Sequence, residues 1–533
     1  MTTTPRDGFA IDAIAQIPKI LTLLDRNPHS PTYGCFDRNF WHYKIIDFPS
    51  GMAQEFVWPL ALAYDTNLPD NPFYRQAVLR DWVEAGILHA AGNAHADGSC
   101  DDYFPFERAG GAAAFSLLAC VESYTLLGLE NATILRFFEQ RADWLAHHHE
   151  SGRLTNHQAL IVLCLELVSR LLNTTRWDAA KTERLERVFA WQNPEGWFQE
   201  YEGFDPGYHT LTIFCLARLY ELLPSTRLKD AIAKAVLLAS YFVHPDGSYG
   251  GEYASRNTYN FFPAGFELVG SWLPEALQIN DRFLVGLANG LGACYADDHI
   301  VGHHTWNYLL AWRHFIPNRP SVEDKRSDRL WLPEAGILVD RRQNTTLYLA
   351  LNKGGVFKFF RDRNLVLSDT QFSLQVRQGK RLKNAVGHLV GAYAIDVQQD
   401  EIRIQGNLGW AKQKQMTPLN LMILRVVMLS VGRFFPNLIR KLLQKMLITG
   451  KQQAPFRFTR RLRRQDGHWH LTDELQADAW RDVIQAGMGG DQTSIYVVMS
   501  RTFQRGQLQP WHDLTDKVRS LATGEPLKLE RTL

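Results

Sequence analysis

The chain has 533 residues, 45% of them hydrophobic, with 58 Lys and Arg against 56 Asp and Glu and a net charge of +2. That balance excludes a disordered polyelectrolyte and gives no footprint for nucleic acid. At ~100–200 residues per domain the length implies two to four domains. No stretch of ~18 uncharged apolar residues occurs, so no transmembrane helix is expected. The six cysteines form no C-x-x-C pair, and Cys120, Cys164 and Cys215 fall in apolar helical runs, as buried free thiols do. The first residues carry Asp7 and Asp12 and no basic, apolar leader pattern. The expected setting is a reducing, cytoplasmic one.

From the start to about residue 315 the chain reads as helices with apolar residues at three- and four-residue steps. They include "NPFYRQAVLRDWVEAGILHAAG", "NATILRFFEQRADWLAHHHE", "NHQALIVLCLELVSRLL", "YHTLTIFCLARLYELL" and "NDRFLVGLANGLGACYADD". Asn131, Asn156 and Asn280 are candidate N-caps. The loops recur: "NAHADGSCDDYFPFERAGG", "NPEGWFQEYEGFDPGY" and "HPDGSYGGEYASRNTYNFF" each join a turn to acids and aromatics. Helix pairs with similar loops predict an (α/α) toroid, either an incomplete ring or a six-hairpin barrel, with loops lining a common cleft.

A polar linker, 316–328, follows. From 329 to 533 period-two runs such as "GILVDRR", "TTLYLALNK", "GVFKFFRD", "FSLQVRQ", "AYAIDVQQD", "EIRIQGNLGW", "FRFTRRLRR", "HWHLTDEL" and "TSIYVVMSRTF" predict antiparallel strands in a β-sandwich-like domain. A helical insertion interrupts it at about 416–449, with a break near Pro436. No Asp or Glu occurs from Ile402 to Gln465, whereas Arg425, Arg433, Arg440, Lys441, Lys445 and the arginines of 457–464 do. Apolar and basic without acids is the composition of a helix lying on an anionic membrane surface, here through 416–464. The alternatives are a helical insertion packed on the sheet or a partner-binding face.

Several helix starts carry groups able to do chemistry. Asn156-His157 opens one apolar helix and Tyr208-His209 another. Tyr253, Arg256, Asn257 and Tyr259 precede a third, and His303-His304 begins an aromatic fourth. On spacing alone, Asn156 is simply a cap and His157 a first-turn histidine. His147–His149 with Glu150 has the look of metal ligands, but histidine is favoured at a helix end by the dipole.

Asn156-His157 and the "DPGYH" of 205–209 resemble motifs of the heparinase II/III-like and alginate-lyase-type polysaccharide lyases. "CFDRNFWHYKIIDFPSG" is similar to the aromatic N-terminal segment of their toroids. The resemblance implies a toroid followed by a β-sandwich, and β-elimination on a uronate-containing polysaccharide. The catalytic set it implies is Asn156 and His157, neutralising the carboxylate with His157 also able to act as base, and Tyr208 as acid. His209, Tyr253, Arg256, Asn257, Tyr259, His303 and His304 would bind substrate. Neither metal nor other cofactor is needed. One departure marks a diverged member: where the family carries an "H-x-H-x-D" segment, this chain has "RNLVLSDTQFSLQV", keeping Asp369 without the histidines. An activity in exopolysaccharide production or trimming follows, peripheral at a membrane.

Three other readings stand beside it. A glycoside hydrolase would need two carboxylates from Asp101, Asp102, Glu107, Glu200, Glu202, Asp205, Asp246 and Glu252. A terpene-cyclase or prenyltransferase toroid would use Trp191, Trp197 and the Asp pairs of "CDDYF" and "YADDH". A non-catalytic glycan-binding or assembly scaffold would keep the cleft without a functioning base.

Overall fold

The structure, a computed structural model, describes residues 4–150, 152–201, 203–294, 300–319, 327–411, 415–444, 452–492 and 502–533. The helices in chain order are α1 (Asp7–Leu23), α2 (Arg38–Trp41), α3 (Val57–Asp65), α4 (Ala77–Asn93), α5 (Gly110–Leu126), α6 (Ala132–His147) and α7 (Thr155–Leu171). There follow α8 (Asp178–Ala190), α9 (Pro206–Leu222), α10 (Thr226–Ala239), α11 (Ala264–Val269), α12 (Glu275–Ala288) and α13 (Ile300–Arg313).

Six of these close a ring. α3 packs on α5, α5 on α7, α7 on α9, α9 on α11, α11 on α13, and α13 returns to α3. Outside them lie α4, α6, α8, α10, α12 and α1. The sequence explains the division. Inner helices such as α5 and α9 are apolar nearly all round and buried nearly all round, whereas α6, α8 and α10 bury one stripe and expose polar faces. The fold is a closed (α/α) toroid of six helical hairpins.

Two expected caps sit elsewhere. Asn280 lies inside α12, its amide donating to the Pro263 carbonyl and to Glu267. Asn156 lies in the first turn of α7, after Leu154 at the N-cap, and its side chain caps nothing. Asn131 does cap α6, accepting from the backbone N–H groups of Thr133 and Ile134. The helix expected from Asn71 begins only at Ala77, because Arg75 adopts a left-handed backbone (φ 54°) that a helix cannot contain.

Beyond the toroid, β1 (Ser327–Leu332), β2 (Ile337–Arg342), β3 (Thr345–Ala350), β4 (Val356–Arg361) and β5 (Asn364–Asp369) form an antiparallel sheet in that order. A larger sheet takes β6 (Phe372–Gln378), β7 (Arg381–Val386), β8 (Ala394–Val397), β9 (Glu401–Trp410), β10 (Gln453–Gln465), β11 (His468–Ala477), β12 (Val483–Met488), β13 (His512–Asp513) and β14 (Leu527–Thr532). Its order is β13-β12-β6-β7-β9-β10-β11-β14, with β8 paired to β9. The sheets share a core of Leu347, Leu349, Phe357, Phe372, Ile404 and Phe458. The opposite face of the smaller sheet, with Val339, Tyr348 and Phe360, joins the toroid's core. This is why β2 to β4 bury successive residues rather than alternate ones: they are covered on both sides.

The insertion between β9 and β10 is a helical hairpin, α14 (Pro418–Val427) and α15 (Pro436–Gln444), joined through a π-helical turn, Met428–Gly432. α16 (Thr515–Arg519) is the last of the described helices. The expected linker falls largely on 320–326, and the expected strand "TSIYVVMSRTF" largely on 493–501; both stretches lie outside the described residues, as do Glu202, Lys445 and the "YADDH" acids.

Candidate active site

The loops at one end of the inner helices bring Asn156, Tyr208 and Arg256 around a carboxylate the motif reading did not assign, Glu200. Asp205 caps α9, accepting from the Tyr208 backbone N–H at 3.1 Å, and Pro206 starts the helix where its missing N–H costs nothing. The same carboxylate accepts from Thr258 and from the Arg256 backbone N–H. Asp205 thereby ties the start of α9 to the 255–258 loop.

The guanidinium of Arg256 lies over the Tyr208 ring, 4.0 Å from its centroid, and 4.7 Å from that of Tyr201. Burial works against its charge, yet Tyr208, Tyr201, Glu200 and Asp205 hold it above the ordinary arginine range. Burial pushes the Tyr208 hydroxyl up to about 12, against the pull of Arg256. The hydroxyl has no hydrogen-bond partner among the described residues, and Tyr208 retains 8% exposure.

Asn156 faces inward. Its backbone N–H and side-chain amide both donate to Glu200 Oε1, at 3.0 and 2.8 Å, and its own Oδ1 is buried without a partner among the described residues. Glu200 Oε2 lies 3.4 Å from Arg256. Burial raises the Glu200 carboxyl above its ordinary range, while Arg256 and Asn156 oppose the shift. The amide and guanidinium suited to grip a substrate carboxylate thus already hold an internal one.

His157 is part-exposed, its side chain 17% accessible, and its Nδ1 lies 2.5 Å from Glu150 Oε2. An ionised carboxylate only accepts, so opposite ionised Glu150 the donor is Nδ1, the tautomer that in a neutral ring leaves the lone pair on Nε2. Glu150 also accepts from the Gly111 backbone N–H. A Cβ on Gly111 would stand 2.8 Å from His157 Cε1, so glycine leaves the room the ring occupies. Glu150 therefore belongs to this histidine, while its neighbours diverge: His147 bonds the Asp143 carbonyl, His148 stacks on Trp144 and His149 meets Arg187.

The remaining expected binding residues go elsewhere. His209 is fully buried between Phe198 and Phe204, with Nε2 on the Ala235 carbonyl, and burial lowers it to about 4. His303 pairs with Glu55 at 2.5 Å and stacks on Phe115, which also meets His157 edge-on. His304 pairs with Asp12 of α1. Tyr253 donates to or accepts from His244 and stacks on Tyr348 of the sheet. Tyr259 bonds Glu252, which pairs with Lys358 of β4 at 3.0 Å. Asn257, at φ 55°, accepts from Lys353 Nζ at 2.5 Å. These three bind the toroid to the sheet.

Lys353 was not legible as a functional position. Its ammonium sits in the 252–257 loop on the carbonyls of Glu252 and Ala254 as well as Asn257, and burial pulls its pKa down to about 7. Asp369 joins Arg460, Asp473 and Arg531 in a buried ion cluster. Of the other acids weighed for hydrolysis, Asp101, Glu107 and Asp246 accept from backbone N–H groups of their own turns.

No protein-family model matches the chain, and no curated protein matches it. Solved structures do. The chondroitin AC lyase of Streptomyces coelicolor A3, determined in complex with chondroitin sulphate, is 10% identical with a TM-score of 0.53, covering 91% of this chain and 68% of that one. A xanthan lyase from Paenibacillus is 10% identical with a TM-score of 0.47; it covers 98% of this chain, which spans 56% of that one. An unsaturated glucuronyl hydrolase from Streptococcus agalactiae is 10% identical with a TM-score of 0.40, covering 59% of this chain and 92% of that one. Identity this low makes the likeness one of fold, a toroid joined to a β domain.

Proposed function

We propose that the protein acts on an acidic, uronate-containing polysaccharide by β-elimination. The observation that carries this reading is the Tyr208 hydroxyl, free of partners among the described residues and set against the Arg256 guanidinium, on the toroid end that also holds the Glu150–His157 pair. The chondroitin lyase with the same fold acts on a polymer of this class, which supports the substrate.

The chemistry divides among these groups. His157 Nε2 takes the proton at C5, α to the uronate carboxylate. The electron pair left at C5 forms the C4–C5 double bond, the C4–O bond breaks, and the departing oxygen takes its proton from Tyr208. Arg256 neutralises charge growing on the carboxylate and on the tyrosinate. Asn156 and Glu200 position Arg256 from within, so the neutralising role first expected of Asn156 passes to the arginine.

A glycoside hydrolase is the second reading, favoured by one observation: Glu200 is a buried carboxyl with its pKa raised, the state of a general acid. Incubation with uronate polymers separates the two. Elimination gives an unsaturated, ultraviolet-absorbing product; hydrolysis gives reducing ends without that absorbance. Glycan binding with neither product would leave a scaffold and sink both.

A further inference from the structure

The hairpin of α14 and α15 exposes apolar side chains where a helical insertion normally hides them. Val426, Phe434 and Leu419 are 65, 66 and 61% exposed, and Leu421, Met422 and Ile423, three successive residues, are exposed together. Successive helical residues point about 100° apart, so the apolar surface wraps α14 beyond a single stripe. No described helix is long and apolar enough to cross a membrane.

Charge narrows the occupant. No acid occurs from Ile402 to Gln465. Arg433 stands over Phe434, 4.6 Å from its ring, so a cation and an aromatic share the bend. The strands carrying the hairpin expose Arg403, Arg457 and Arg463. A second copy would set this basic, acid-free segment against its own like charge. A groove on a protein would take one stripe, not a helix apolar on several sides. A fluid anionic surface accepts both the wrapped apolar side chains and the arginines.

The hairpin is also held in place. Arg425 pairs with Asp47 at 2.7 Å and lies over Phe48, next to Ile45, which is 71% exposed. From there Ser50 bonds Asp102 and the Gly51 N–H bonds the Asp101 carbonyl, in the loop that leads into Gly111 beside His157. We infer that the hairpin docks the protein on an anionic lipid surface, apolar side chains in the acyl boundary and arginines at the headgroups, with the catalytic end of the toroid tied to the docking face.

The test is co-flotation of the full chain with vesicles of phosphatidylcholine alone and with added phosphatidylglycerol. Flotation with the anionic vesicles, weakening as salt is added, is expected. Phe434→Ser/Phe435→Ser and Leu421→Glu/Val426→Glu should each reduce it at least about tenfold, with melting unchanged because these side chains are exposed. No flotation with either vesicle, equal flotation with neutral ones, or double variants that float like the wild type would overturn the inference. So would variants that instead convert a dimer to a monomer, since the face would then belong to a second copy. None of these readouts depends on catalytic activity.

Discussion

Arg256 stands over the ring of Tyr208 at 4.0 Å while its backbone N–H is held by Asp205, the residue that caps Tyr208's helix. One carboxylate thus fixes both partners of the cation–aromatic pair. The contact stabilises the tyrosinate more than the neutral phenol, which favours proton donation from a group that burial otherwise keeps protonated.

Tyr208→Phe retains the ring under Arg256 and removes only the proton donor. Turnover of a uronate polymer, followed by the unsaturated product's absorbance, should fall by about 10²–10⁴-fold. Substrate affinity and the melting temperature should change little. Unchanged turnover would remove Tyr208 from the reaction.

Glu150→Gln should act through His157. A neutral amide holds the ring less firmly than the carboxylate does, so kcat should fall by about 10–100-fold with little change in melting temperature. Gly111→Ala should displace the ring by contact and lower kcat as well. Unchanged turnover in Glu150→Gln would show that the pair is structural.

Acid should destabilise the fold through His209. Its folded-state pKa, about 4, lies below the ordinary value of 6.5, because the charged ring cannot be hydrated between Phe198 and Phe204. The unfolded chain therefore binds the proton first. Stability is full above 6.5 and is lost as pH falls toward 4, by roughly 3 kcal/mol for a shift of this size. His244 and His388 are lowered in the same direction by burial. Denaturant midpoints at stepped pH should show this slope, and His209→Asn should make it shallower.

Arg460→Met should destabilise the β domain by about 3–5 kcal/mol, since Asp369 and Asp473 would keep their burial and lose the cation that grips both. Replacing Arg460, Asp369 and Asp473 together with apolar residues should recover much of the loss. A single-substitution cost near zero in urea unfolding would contradict the cluster's role.

Local pattern determined a good deal. The three- and four-residue apolar steps placed the toroid's helices, and turn residues placed its loops. Period-two runs found β2, β3, β4, β6, β8, β9, β10 and β11, and the acid-free run from Ile402 to Gln465 marked the hairpin. Each signal lies within one element, where geometry depends on neighbours in sequence. What the tertiary structure decided depends on which groups meet. Asn156 read as a cap because its sequence neighbours could not show Glu200, 44 residues on, meeting its amide. His209 read as a rim residue because only the packing of α9 against α10 turns its ring inward. Lys353 read as a strand-end lysine until the toroid supplied three oxygens for it. The runs that predicted β2 and β3 did not show that these strands are buried on both faces, between the toroid and the larger sheet. Ring closure brings distant helix starts to one end, and whether a polar side chain there meets the cleft, a carboxylate or another element's carbonyl is settled by long-range packing that no local periodicity encodes.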